Sequence, residues 1–334
     1  MQQFRTATQG HWAITLSLCF SLINLVACSN TPIKFIPGGD GRLPNAHTIA
    51  DVPYFAQVED QCGPASLATM LAVRNISVTP QALRQKIYIP AKQGSLTTEM
   101  VSRARRYHLL VYPVGQNLAD VFAEVSADNP VLVLQNIGLD WLPRWHFSVV
   151  IGYDLAQQSI TLRSGEALEH RIGLALFLTT WERAKRWAVV MTEPDDLPST
   201  AQAERFLQSA NELEQIGETQ AALSAYKAAL TRWPQNTLAY FGAGNTAYAL
   251  HHYRQASEFF STYISHTPGV AAAWNNLAYS LLKLNCADDA LTAVSCAVHL
   301  APNDSALLAS YTEVVAAHPR SSREGRCDIP KCPL

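Results

Sequence analysis

Apolar positions along this chain change their spacing twice. Leu67, Met70 and Leu71 recur at helical spacing and predict a helix over 63–74, and Met100, Val101 and Ala104 predict another over 96–108. Thr79-Pro80 opens a helix between them, with Thr79 as its N-cap, and 118–126 reads as a fourth. The pattern then shortens to apolar runs at 131–134, 147–153 and 159–163, and a last one at 187–191. Such runs predict strands. The polar turn 154–158 predicts a hairpin between the second and third. A short strand or extended arm is expected at 49–55. Helices followed by an antiparallel sheet indicate an α+β domain over 47–195.

From residue 201 the helical pattern returns and repeats itself. Pro234, Pro268 and Pro302 stand thirty-four residues apart. In the same register lie Phe206, Tyr240 and Trp274; Ala210, Gly244 and Ala278; Ala222, Ala256 and Ala290; and Tyr226, Phe260 and Val294. Small residues let paired helices approach, large ones fill the space between turns, and proline ends the second helix. This period and register are those of tetratricopeptide repeats. Three repeats and a capping helix are expected over 201–318, an all-α solenoid with a concave groove. Its role is capture of a peptide or protein partner, or that of a rigid spacer. The stretch Leu197-Pro198-Ser199-Thr200 reads as the hinge before it.

The 334 residues are enough for two domains, and a net charge of −2 gives no sign of nucleic-acid binding. No cofactor or metal motif is present. The N-terminus reads as a targeting segment. Arg5 is followed by a nearly continuous apolar run over 13–25, short for a membrane span and typical of a signal sequence. Leu25-Val26-Ala27-Cys28 resembles the lipobox of bacterial lipoproteins, which implies a signal peptide over 1–27, cleavage before Cys28 and lipid on that cysteine. Ser29 at the next position favours, by the habit of that class, the outer membrane facing the periplasm. Residues 28–46 then read as a tether and 319–334 as a tail. In an oxidising envelope Cys327 and Cys332 of the tail are expected to close a small disulfide loop, with Cys286 and Cys296 as small core residues of the third repeat.

The candidate chemistry lies in Gln57-Val58-Glu59-Asp60-Gln61-Cys62-Gly63-Pro64-Ala65. Gly63 and Pro64 suit a turn into a helix, so Cys62 stands at a helix N-terminus, where unpaired N–H groups and the helix dipole favour thiolate. A buried structural cysteine is the alternative. His146 begins the strand of 147–153, after a loop carrying Trp141 and Pro143. A helix-borne Cys with a distant strand-borne His is the arrangement in which imidazole takes the thiol proton and later protonates the leaving group.

These blocks, together with Gly94-Ser95-Leu96 opening a helix and His146-Phe-Ser-Val-Val-Ile-Gly-Tyr-Asp154, resemble the peptidase C39-like group, a branch of the papain-like cysteine peptidases. The order of lipobox, peptidase and repeats is similar to that of envelope lipoproteins that combine the two domains. The resemblance implies a membrane-anchored hydrolase of a peptide or amide bond, with Cys62 as nucleophile, His146 as general base and acid, and the Gln57 amide in an oxyanion hole. It also implies an Asp after the His strand, where this chain reads Thr161-Leu162-Arg163-Ser164-Gly165. Ser164, Glu166 or a backbone carbonyl is left to orient the imidazole. The missing carboxylate supports a rival reading, a non-catalytic peptidase-like binding or scaffold lipoprotein.

Overall fold

The computed structural model describes residues 43–57, 61–317 and 327–333. The expected signal peptide, Cys28 and most of the tether lie outside the described residues, as do 58–60 of the cysteine loop.

In chain order the first domain consists of β1 (Ala46–Thr48), α1 (Cys62–Val73), α2 (Pro80–Ile87), α3 (Thr97–Arg105), β2 (Leu110–Pro113), α4 (Leu118–Ser126), β3 (Val131–Asn136), β4 (Trp145–Asp154), β5 (Ser159–Ser164), β6 (Ala167–Gly173), α5 (Leu174–Arg183) and β7 (Ala188–Thr192). Its sheet is antiparallel throughout, in the order β2-β7-β3-β4-β5-β6, with β1 paired to the far end of β4. α1 runs through the interior. Leu67, Met70 and Leu71 are each at most 1% exposed, and the helix is buried from Gly63 to Leu71. A helix apolar on every side belongs in a core. Thr79 caps α2 by accepting from the Ala82 N–H at 3.2 Å.

Three elements carried no clear signal in the sequence. β2 is four residues long and follows α3 closely, so its apolar run merges with the helical pattern before it. β6 is an exposed edge strand without an apolar face, and α5 follows it directly from Gly173, with no polar linker to mark the change. The segment 49–55 is an arm: the strand β1 ends just before it, and Ile49 N–H adds one backbone bond to Ile151 O at 2.8 Å.

The second half is α6 (Ala203–Gln215), α7 (Thr219–Arg232), α8 (Thr237–Ala249), α9 (Tyr253–His266), α10 (Ala271–Lys283), α11 (Ala287–Leu300) and α12 (Ser305–Ala317). Neighbouring helices pack as successive pairs, with α12 against α10 and α11. Phe206, Trp274, Ala210, Ala278, Ala222, Ala256 and Ala290 of the repeated register are all fully buried.

Two sequence expectations are corrected here. The disulfides join Cys286 to Cys327 and Cys296 to Cys332, so each tail cysteine is stapled to the third repeat rather than to the other. The reason is local. Cys286 caps α11 and Cys296 lies along it, and the Asp289 carboxylate accepts from the Cys327 N–H at 2.7 Å, which holds the tail against that helix. The 197–200 stretch is tied down rather than a hinge. The buried Glu124 carboxylate accepts from Ser199 N (3.2 Å), Thr200 N (2.8 Å) and Thr200 Oγ1 (2.6 Å), while Tyr112 Oη donates to Thr200 O (3.0 Å). Arg105 pairs with Glu212, and Glu218 faces Arg106 and His108, across the same junction.

Candidate active site

Cys62 is the first residue of α1, half-buried, and is the one described cysteine outside the disulfides. The side chain of the N-cap residue Gln61 does not cap the helix start. Gly63 is required there: a Cβ at this position would come within 2.8 Å of Ser95 Oγ and 2.9 Å of its Cβ, in the loop before α3. That contact accounts for the glycine after the cysteine and places Ser95 of the Gly94-Ser95-Leu96 block beside it.

One turn along α1, Ser66 Oγ donates to Phe147 O at 3.2 Å. This bond joins the first turns of α1 to the start of β4, next to His146. Gln57 completes the junction. Its Nε2 donates to Ser66 Oγ (3.1 Å) and to Phe147 O (3.4 Å), its Oε1 accepts from Gly165 N (2.9 Å), and its own N–H donates to Gly165 O (3.0 Å). Gly165 sits at φ +67°, in the turn between β5 and β6, a conformation that glycine enters without a Cβ penalty. Gln57 thus locks the cysteine loop to the α1–β4 contact and to the β5–β6 turn.

His146 pairs in register with Gln135 of β3, and its Nε2 lies 2.8 Å from Ser164 Oγ at the end of β5. The structure therefore brings Ser164 to the imidazole. Glu166 is exposed at the turn, and Asp154 accepts from the Gln157 N–H in the β4–β5 turn. Arg163 points to the other face of the sheet, as neighbours in a strand must, and its guanidinium donates to Val52 O and Leu168 O. Burial, with the positive charges of Arg144 and His170, pushes the His146 pKa from the ordinary 6.5 down to about 4. The imidazole is neutral at pH 7.

The loop before His146 is apolar and exposed: Trp141 is 79% exposed and Leu142 62%. It is nonetheless built. Asn136 Oδ1 accepts from Gly138 N (3.0 Å) and Arg144 N (2.8 Å), and Arg183 donates to Gly138 O (2.7 Å) while pairing with Asp140. In the repeats, Asn245, Tyr248, Phe260, Asn276 and Tyr279 line a cleft of about 310 Å³, in which Asn276 donates to Asn245 at 3.0 Å. Among the described residues no group of His, Cys, Asp and Glu side chains is arranged to hold a metal, and no helix is long and apolar enough to cross a membrane.

Residues 49–189 match the model of the Peptidase_C39 like family, and residues 213–277 match a tetratricopeptide repeat model. No curated protein sequence matches the chain. Among solved structures, a C39-like peptidase from Bacillus anthracis is 18% identical over 44% of this chain and 97% of its own, with a TM-score of 0.38. A double glycine motif protease from an AMS/PCAT transporter, solved with its leader peptide, is 20% identical over 43% of this chain and 93% of its own, at 0.32. The repeat protein YrrB is 27% identical over 34% of this chain and 59% of its own, at 0.33. An α+β domain whose Cys helix and His strand are bonded together, followed by helix pairs on a thirty-four-residue period, agrees with both family matches: this chain carries a C39-like peptidase domain followed by tetratricopeptide repeats.

Proposed function

We propose that the first domain is a cysteine peptidase in which Cys62 attacks an amide carbonyl and His146 moves the proton. The observation that carries this reading is the bond from Ser66 to Phe147 O, which ties the helix bearing Cys62 to the strand end bearing His146. Nε2 is engaged by Ser164, which leaves Nδ1 as the nitrogen that takes the thiol proton. As the C–S bond forms, that proton passes to Nδ1. It then goes to the leaving amine as the C–N bond breaks. Water then attacks the thioester and gives a proton to the imidazole as the C–O bond forms; the C–S bond breaks, the imidazole returns that proton to the Cys62 sulfur, and the acid leaves.

The imidazole is neutral at neutral pH and so open to the thiol proton. Ser164 orients the imidazole, and its hydroxyl stabilises imidazolium less than a carboxylate would. Gln57 Nε2 is the side-chain donor for the oxyanion, freed by giving up the longer of its two contacts, that to Phe147 O. The exposed Trp141 rim suits apolar side chains of an extended peptide, and the repeats recruit the substrate or a protein partner. Lipid on Cys28 would hold the molecule at the outer membrane, facing the periplasm.

Among the described residues the imidazole is held by a hydroxyl and not a carboxylate, which favours a second reading, a binding scaffold without turnover. Alkylation of Cys62 by iodoacetamide tests between them. A working pair gives a Cys62 rate that falls in His146→Ala. An inert domain gives the same rate with and without the imidazole.

A further inference from the structure

Behind His146 a row of polar side chains is buried in the interior of the sheet. Gln135, Ser148 and Ser164 lie on the face of His146, because Gln135 pairs with His146 and Ser148 follows two residues along β4. Thr180 of α5 covers the row. Ser148 is 0% exposed, Gln135 3%, Thr180 6% and Ser164 8%. Buried polar groups of this kind destabilise unless every one is paired, and a row with a packing role alone would be apolar.

Proton counting gives the row a direction. Thr180 Oγ1 lies 2.9 Å from Phe177 O and 3.1 Å from Leu176 O, so its one proton goes to the helix backbone. Toward Gln135, at 2.7 Å, it can then only accept, which orients the amide with Nε2 to Thr180 and Oε1 to Ser148. Ser148 Oγ lies 2.9 Å from Gln135 Oε1 and 3.3 Å from Ser164 Oγ. Its single proton goes to the nearer carbonyl, and a lone pair is left facing Ser164. For Nδ1 to receive the thiol proton, the resting imidazole must carry its proton on Nε2, so Nε2–H donates to Ser164, whose own proton must point elsewhere. The Ser148 lone pair is where it can go.

We propose that Thr180, Gln135 and Ser148 are positioning residues, which together make Ser164 an acceptor for the imidazolium that forms at His146 and so replace a carboxylate with a neutral relay. The proposal rests on the reading of Cys62 and His146 as the reacting pair. No covalent bond changes in the relay: each hydroxyl keeps its proton, and the row only fixes the direction in which each one donates.

The test uses the full chain with ¹⁵N-labelled histidine, and iodoacetamide as the probe, with Cys62 read by site-resolved mass spectrometry. The wild type shows His146 protonated at Nε2. Gln135→Met and, separately, Thr180→Val slow Cys62 alkylation at pH 7 about tenfold, the ordinary worth of a hydrogen bond to a charged group, and move the His146 proton toward Nδ1. Gln135→Glu keeps an acceptor for Ser148 and restores the wild-type rate or exceeds it. If both relay variants keep the wild-type rate and His146 signature while His146→Ala is slow, the relay is overturned and the reacting pair stands. If His146→Ala itself alkylates at the wild-type rate, the pair is overturned instead.

Discussion

Ser164→Asp puts a carboxylate where the hydroxyl now touches His146 Nε2 at 2.8 Å. A charge about 4 Å from the imidazole, at an effective dielectric constant near 20, is worth about 4 kcal/mol, or about 3 pKa units. His146 should therefore rise from about 4 to about 6 or 7. Arg163 does not intercept the new charge, since its guanidinium is held by Val52 O and Leu168 O on the opposite face. The sign carries into stability. In the wild type the folded pKa lies below the unfolded one, so the unfolded chain binds more protons between about pH 6.5 and 4, and folding loses about 3 kcal/mol across that window as the pH falls. In the Asp variant this acid-side loss shrinks, while burial of the new carboxylate lowers stability at neutral pH. The assay is an NMR titration of the His146 ring, with urea unfolding at pH 4.5 and 7. Ser164→Asn is the control of equal size without charge. A His146 pKa that stays near 4 in a folded Asp variant, or that rises equally in the Asn variant, refutes the electrostatic reasoning.

Cys62→Ala and His146→Ala should each abolish amide hydrolysis with the fold intact by circular dichroism, and the double variant should lose no more than either single one; retained turnover in Cys62→Ala rules out the assigned nucleophile. Glu124→Ala leaves the donors of Ser199, Thr200 and Asn129 without their acceptor, close to Arg74, and should cost about 3–5 kcal/mol of stability with increased proteolysis at 197–200. A non-reducing digest should yield peptides joining Cys286 to Cys327 and Cys296 to Cys332; a peptide closed between Cys327 and Cys332 would contradict the stapled tail. Labelling with a fatty-acid probe should mark the wild type and not Cys28→Ala; equal labelling refutes lipidation.

Much of the architecture was legible because it depends on local spacing. The thirty-four-residue register of proline, aromatic and small positions names the solenoid, since each repeat must present the same faces to its neighbours. The helical run after Cys62 and the strand after His146 show in their apolar periods. β2, β6 and α5 did not, because a four-residue strand, an exposed edge and a helix without a linker leave no periodic trace.

Residue type and spacing alone determined the order of domains, the thiol at a helix start and the lack of a carboxylate in 161–165. Tertiary structure decided everything that depends on partners distant in sequence. It chose Ser164 over Glu166 beside the imidazole, because the β5–β6 turn buries one and exposes the other. It paired the tail cysteines with α11 instead of each other, and it turned an apparent hinge into a fixed junction through Glu124, 75 residues before Ser199. A sequence records which groups can bond; which of them meet depends on the sheet register and helix packing that bring distant segments within 3 Å.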